Sequence, residues 1–141
     1  MGIYDNCIIL IPALQPDERM IQLICGLHNL GFDKIAITDD GSCENRQHYF
    51  QEAKSMGAWV MHHSKKMGKG VALRSALRLA DEKIGESNFY IIADCDGQYS
   101  PEDIEKVAQE LLNNPDRFVL GVRTYERKKG KKVRFWMNSC Q

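Results

Sequence analysis

Long apolar runs are missing from this sequence. The longest, Cys7 to Leu14, has eight residues and already contains Pro12, whereas a membrane-spanning helix needs about 20. No such helix is expected. Asp5, rather than Lys or Arg, precedes that run, unlike a secretory leader, so the expected compartment is the cytoplasm. Cysteine is present without a pairing pattern. Cys7, Cys25, Cys43, Cys95 and Cys140 are odd in number and include no C-x-x-C, which argues against a disulfide framework and a thiolate zinc site. They read as small, mostly buried hydrophobes. Two phosphate-binding signatures are absent as well. No G-x-G-x-x-G follows an apolar run, and Gly70 stands where a P-loop requires Ser or Thr.

What is present suits a single folded domain of common size. Over 141 residues, 43% are hydrophobic and 27% charged, near globular averages, which excludes disordered and fibrous classes. The net charge of zero hides an asymmetry. Residues 1–121 hold 12 Lys and Arg against 18 Asp and Glu, and residues 122–141 hold 7 against 1. Short β-branched or apolar runs at Cys7–Ile11, Lys34–Thr38, Ala58–Met61, Phe89–Ala93 and Phe118–Val122 predict strands, with gaps long enough for helices between them. Met20, Leu23, Ile24 and Leu27 recur at helical spacing, as do Leu73, Ala76, Leu77, Ala80 and Ile84, and then Ile104, Val107, Ala108 and Leu111. Asn29-Leu30-Gly31 is predicted to end the first helix. Ser100-Pro101-Glu102-Asp103 supplies an N-cap, a first-turn proline and acidic residues for the fourth. Strand–helix alternation implies an α/β class, a mostly parallel sheet with helices on both faces.

Ligands of such sheets gather beyond the carboxyl ends of the strands. There the sequence places Pro12-Ala13-Leu14-Gln15, Asp39-Asp40-Gly41-Ser42, His62-His63, Gly68-Lys69-Gly70, Asp94-Cys95-Asp96-Gly97-Gln98 and Arg123. In Asp94-Cys95-Asp96 the two carboxylates share one side of an extended segment, a donor set for Mg²⁺ or Mn²⁺, and Gln98 can add a carbonyl oxygen. An isolated D-x-D is equally the composition of a turn. Asp39 and Asp40 can accept from a base or ribose, or sit solvated in a turn. Gly68-Lys69-Gly70 can turn N–H groups and an ammonium toward phosphate, or form a plain loop. His62 and His63, alternating in direction on a strand, do not chelate one ion and read as solvated or capping groups. Arg123 and Arg134 can grip a phosphate bidentately, while Arg127, Lys128, Lys129, Lys131 and Lys132 form a diffuse basic surface.

The order of these segments resembles the family 2 glycosyltransferases of the GT-A (Rossmann-like) fold, particularly dolichyl- or polyprenyl-phosphate sugar transferases. Ile9-Leu10-Ile11-Pro12-Ala13 is similar to that family's opening strand, and Ile37-Thr38-Asp39-Asp40-Gly41-Ser42 to its V-D-D-G-S. Met67-Gly68-Lys69-Gly70-Val71-Ala72-Leu73 resembles its N-x-G-K-G-x-A-L. The stretch from Ala93 through Ile104 resembles D-A-D-G-Q-x-x-P-E-D-I, and Gly121-Val122-Arg123 with Arg134 and Asn138 resembles the segments that follow. Leu14-Gln15-Pro16 departs from the family's Tyr-Asn-Glu.

The resemblance implies an inverting transfer of sugar from a nucleotide sugar, UDP- or GDP-linked, to an acceptor such as a polyprenyl or dolichyl phosphate. Pro12, Ala13, Asp39, Asp40, Lys69 and Asp94 would contact the nucleotide. Asp94, Asp96 and Gln98 would hold Mg²⁺ or Mn²⁺, Asp94, Asp96 and Arg123 would serve catalysis, and Arg123 with Arg134 would receive the acceptor phosphate. It also implies a donor-binding core over residues 1–123 and a basic loop with the start of an acceptor-side helix over 124–141, the C-terminal part of the fold being absent. Apolar surface around Phe135, Trp136 and Met137 would then favour self-association, and the basic loop a peripheral place at anionic membranes. No nucleic acid partner is expected. Two other readings remain open. One is a haloacid-dehalogenase-type phosphatase, which also carries D-x-D but follows its glycine with Thr or Val rather than Gln98. The other is a truncated, non-catalytic, metal-dependent nucleotide-binding domain.

Overall fold

A computed structural model describes residues 2–85, 89–120 and 136–138. The chain begins with strand β1 (Cys7–Ala13), helix α1 (Glu18–Asn29) and strand β2 (Ile35–Asp39). A 3₁₀ turn (Glu44–Arg46), helix α2 (Gln47–Ser55), strand β3 (Trp59–His62) and helix α3 (Lys69–Ile84) follow. Strand β4 (Phe89–Ile92), helix α4 (Pro101–Asn113) and strands β5 (Phe118–Leu120) and β6 (Trp136–Asn138) complete it. Strands β1 to β4 form one parallel sheet in the order β3-β2-β1-β4. The α/β architecture expected from the sequence is present.

The alternation of side chains along β1 divides the core. Cys7, Ile9, Ile11 and Ala13 join the face covered by Met20, Leu23, Ile24 and Leu27 of α1, Phe50 and Ala53 of α2, and Ile104 and Ala108 of α4. Ile8 and Leu10 point the other way, onto Ala76 and Ala80 of α3. A central parallel strand buried on both faces reads as a continuous apolar run, which is why Cys7–Ile11 stood out. Helix α1 ends as predicted. Gly31 takes φ +97°, its N–H donates to His28 C=O at 3.0 Å, and Phe32 N–H reaches back to Leu27 C=O at 2.9 Å, a double closure that needs a left-handed residue after the helix. At α4, Ser100 Oγ accepts from Asp103 N–H at 3.1 Å while Ser100 N–H donates to the Asp103 carboxylate at 3.3 Å.

Four expectations change. Helix α3 turns Ala72, Ala76 and Ala80 into the sheet, with Leu73, Leu77 and Ile84 only partly buried beside them. Its apolar residues span more than one face, and three alanines let the helix axis come close. Among the described residues, the fifth strand does not join the parallel sheet. It pairs antiparallel with β6, Phe118 opposite Asn138 and Leu120 opposite Trp136. Residues 136–138 are therefore strand where a helix was expected, since pairing with β5 satisfies their backbone groups and aromatic residues suit strands. Among the described cysteines only Cys7 is fully buried. Cys25 and Cys43 are exposed and Cys95 is half-buried, because Cys25 lies on the outer side of α1 and Cys43 in a loop. Arg123, Phe135, Arg134, Cys140 and the basic loop 124–132 lie outside the described residues.

Candidate functional site

The sheet changes direction of growth at β1, with β2 on one side and β4 on the other. Such a switch opens a crevice at the carboxyl ends of the strands. A cleft of about 380 Å³ lies there, lined by Pro12, Ala13 and Leu14 after β1, Asp40 after β2, Lys69 and Ala72 of α3, and Asp94, Cys95, Asp96 and Gln98 after β4. Of the residues predicted to touch nucleotide or metal, Pro12, Ala13, Asp40, Lys69, Asp94, Asp96 and Gln98 are thus brought together. Asp39 is not among the lining residues.

Asp39, the last residue of β2, and Asp40, the next, are both buried and hydrogen-bonded. Asp39 accepts from Ser42 N–H at 2.8 Å, from Gln47 Nε2 at 2.9 Å and from His62 Nδ1 at 2.8 Å. Asp40 accepts from His63 Nδ1 at 2.9 Å and from the N–H groups of Met67 and Gly68 at 2.8 and 3.0 Å. For each, burial alone pushes the carboxyl pKa up. The hydrogen bonds, with the His62 bond largest at Asp39 and the His63 bond largest at Asp40, outweigh it and hold the pKa below the ordinary value. Asp40 therefore ties the loop ahead of α3 to the end of β2, and so sets where Lys69 stands.

The histidines carry this bracing, which the sequence reading placed in solvent or at a cap. The His63 side chain is buried, and its second nitrogen lies 2.7 Å from Ser75 Oγ on α3. His62 is partly exposed and packs edge-on against Phe50. The pairing follows from the strand register. The parallel register places Asp39 opposite His62, so a pair of aspartates leaving β2 meets a pair of histidines leaving β3. Gln15, at φ +51°, has a bracing role that the sequence did not announce. Its N–H donates to Ser42 Oγ at 2.9 Å and its Oε1 accepts from Cys43 N–H at 2.7 Å, joining the β1 and β2 turns.

Across the cleft, Lys69 Nζ lies 2.7 Å from Asp94 Oδ1, and this bond raises the ammonium pKa above its usual value. Asp96 accepts from Gln98 N–H at 3.0 Å, which fixes the turn after β4. Burial pushes the Cys95 thiol pKa up, so Cys95 reads as a wall residue. The donor set suits a hard divalent cation: two carboxylates and an amide oxygen share one cleft. Among the described residues no three His, Cys, Asp or Glu side chains converge on one point.

A family model described as "Glycosyl transferase family 2" matches residues 8–138. The chain belongs to glycosyl transferase family 2. It is 28% identical over 129 residues to the UDP-N-acetylglucosamine–dolichyl-phosphate N-acetylglucosaminyltransferase of Methanococcus voltae, covering 82% of this chain and 51% of that protein. Two uncharacterized proteins of Methanocaldococcus jannaschii are each 27% identical, over 123 and 122 residues, with 87% and 84% of this chain and 49% and 52% of theirs covered. The chain spans about half the length of the curated relatives it matches. As a family 2 member with a parallel sheet and a cleft at its switch point, it has a GT-A-like α/β fold. No helix among the described residues is long and apolar enough to cross a membrane.

Proposed function

We propose that this chain binds a nucleotide sugar in the cleft and serves an inverting transfer of that sugar to a polyprenyl or dolichyl phosphate. The observation that carries the reading is the convergence of Asp94, Asp96, Gln98, Lys69 and Asp40 on one cleft in a family 2 chain. The activity named for the Methanococcus relative supports a UDP-linked donor and a lipid phosphate acceptor.

In this reading the nucleoside lies along Pro12 and Ala13, above Asp40. Asp94, Asp96 and Gln98 hold Mg²⁺ or Mn²⁺. When bound, the cation neutralises charge that grows on the departing diphosphate. Lys69, the first residue of α3, directs an ammonium and a helix N-terminus at the same phosphates. Arg123 and Arg134 align the acceptor phosphate for attack on the face of the anomeric carbon opposite the diphosphate. A phosphate acceptor is already anionic at neutral pH, so the reaction requires no general base, and positioning becomes the main contribution of the protein. The basic residues of segment 123–134 hold the chain at an anionic membrane surface.

Titration calorimetry with UDP, GDP and their sugar conjugates, with and without Mn²⁺, tests the donor site. Metal-dependent binding supports it, and equal affinity with and without metal overturns the cation assignment. Nucleotide release in the presence of polyprenyl phosphate vesicles tests transfer. Binding without release would leave a nucleotide-binding domain.

A further inference from the structure

We propose that Lys69 makes the cleft selective for a cation–diphosphate complex over the free cation: its ammonium occupies Asp94 until phosphate oxygens arrive to receive it. The proposal rests on the donor-site reading above and adds an order of binding to it.

Four observations carry it. Lys69 Nζ lies 2.7 Å from Asp94 Oδ1, within the space that a cation held by the same oxygen must enter. The two residues line the same cleft from different elements, one opening α3 and the other following β4, so the contact joins two parts of its lining. The Lys69 side chain is 66% exposed while Asp94 is 24% exposed; the lysine can swing and the carboxylate is seated. Asp96 and Gln98 line the same space, so the lysine blocks one donor of the set and leaves the others in place.

The consequence follows from charge. A free divalent cation entering at Asp94 meets an ammonium already bound there, and must either displace it into water or sit beside a like charge. A cation arriving with a diphosphate brings anionic oxygens that take the ammonium as their own partner. The cation and the diphosphate therefore bind with positive coupling, each strengthening the other by the same factor. Exposed ion pairs are individually weak, so the expected effect is several-fold.

The test uses the full chain with Mn²⁺ alone, followed by the loss of the free-ion paramagnetic resonance signal, and then with UDP or GDP. Lys69→Met is compared with Lys66→Met, which removes the same charge from an exposed lysine of the neighbouring loop. Lys69→Met is expected to bind Mn²⁺ alone about three- to tenfold more tightly than the unmodified chain, and Lys66→Met less than twofold. The coupling between Mn²⁺ and the nucleoside diphosphate should fall severalfold in Lys69→Met alone. Equal Mn²⁺ affinity in the two variants overturns the proposal while leaving the donor site standing. Failure of the unmodified chain to bind nucleoside diphosphate, with or without Mn²⁺, overturns the donor-site reading and this proposal with it.

Discussion

His63 Nδ1 lies 2.9 Å from Asp40 Oδ1, and the same oxygen accepts from Met67 N–H. One buried carboxylate thereby joins the ends of β2 and β3 to the loop that carries Lys69. With Asp40 ionised, Nδ1 carries the proton, and in the neutral ring Nε2 accepts from Ser75, an assignment that follows from the network.

Removing either partner leaves a buried polar group without its bond, at a cost of about 1–3 kcal/mol. His63→Ala and Asp40→Ala are each expected to lower stability in urea unfolding by that amount. The double variant should fall short of the sum by at least ~0.5 kcal/mol, as for residues in direct contact. Strict additivity would show that the two side chains act independently.

Acid should loosen the same region. Asp39 and Asp40 both have carboxyl pKa values held below the ordinary range. A depressed native pKa contributes stability that is complete above the unfolded value, about 3.9, and is lost as pH falls from there through the native value. The urea midpoint of the unmodified chain should therefore fall as pH drops below about 4. In Asp40→Asn the decline should be shallower, since one of the two linked groups no longer titrates. Parallel profiles would exclude Asp40 as a contributor.

The four strands of the parallel sheet, the caps and the cleft were legible because their signals are local. Gly31 after Asn29, Ser100 before Pro101 and the continuous apolar run Cys7–Ile11 act within a few residues, and Asp94-Cys95-Asp96 was placed at a strand end by chain order alone. The rest depends on contacts between distant segments. Ala72 and Leu73 are both apolar, so only packing against the sheet decides which faces inward. Pairing of β5 with β6 joins segments 16 or more residues apart, and no periodicity announces it. The bond from His63 to Asp40 follows from a strand register, and the bond from Lys69 to Asp94 from rotamers facing across a cleft.

Segment 123–134 holds seven basic residues and one acidic residue. Each basic group near an anionic surface contributes ~1 kcal/mol, and screening limits its reach to ~8 Å at physiological salt. Co-sedimentation with anionic vesicles is expected to fall steeply as salt rises, with little binding to neutral vesicles. Equal binding to both would remove an electrostatic membrane role.

Gly41 links the turn after β2 to the loop before α3. It adopts φ +79°, and a Cβ there would lie 2.6 Å from both the Lys65 carbonyl carbon and the Lys66 nitrogen. Both are backbone atoms that cannot rotate away, so the loop itself must move, and Met67 and Gly68 in that loop bind Asp40. Gly57 provides the comparison: its φ is +93°, yet an added Cβ meets nothing within 4 Å. Gly57→Ala should therefore cost only the left-handed backbone penalty, roughly 1–2 kcal/mol. Gly41→Ala should cost more than that in urea unfolding and should also weaken nucleoside diphosphate binding in calorimetry, because shifting the loop shifts Lys69 at the cleft wall. If the two variants lose equal stability and Gly41→Ala binds nucleotide like the unmodified chain, the close approach of these two loops does not position the site.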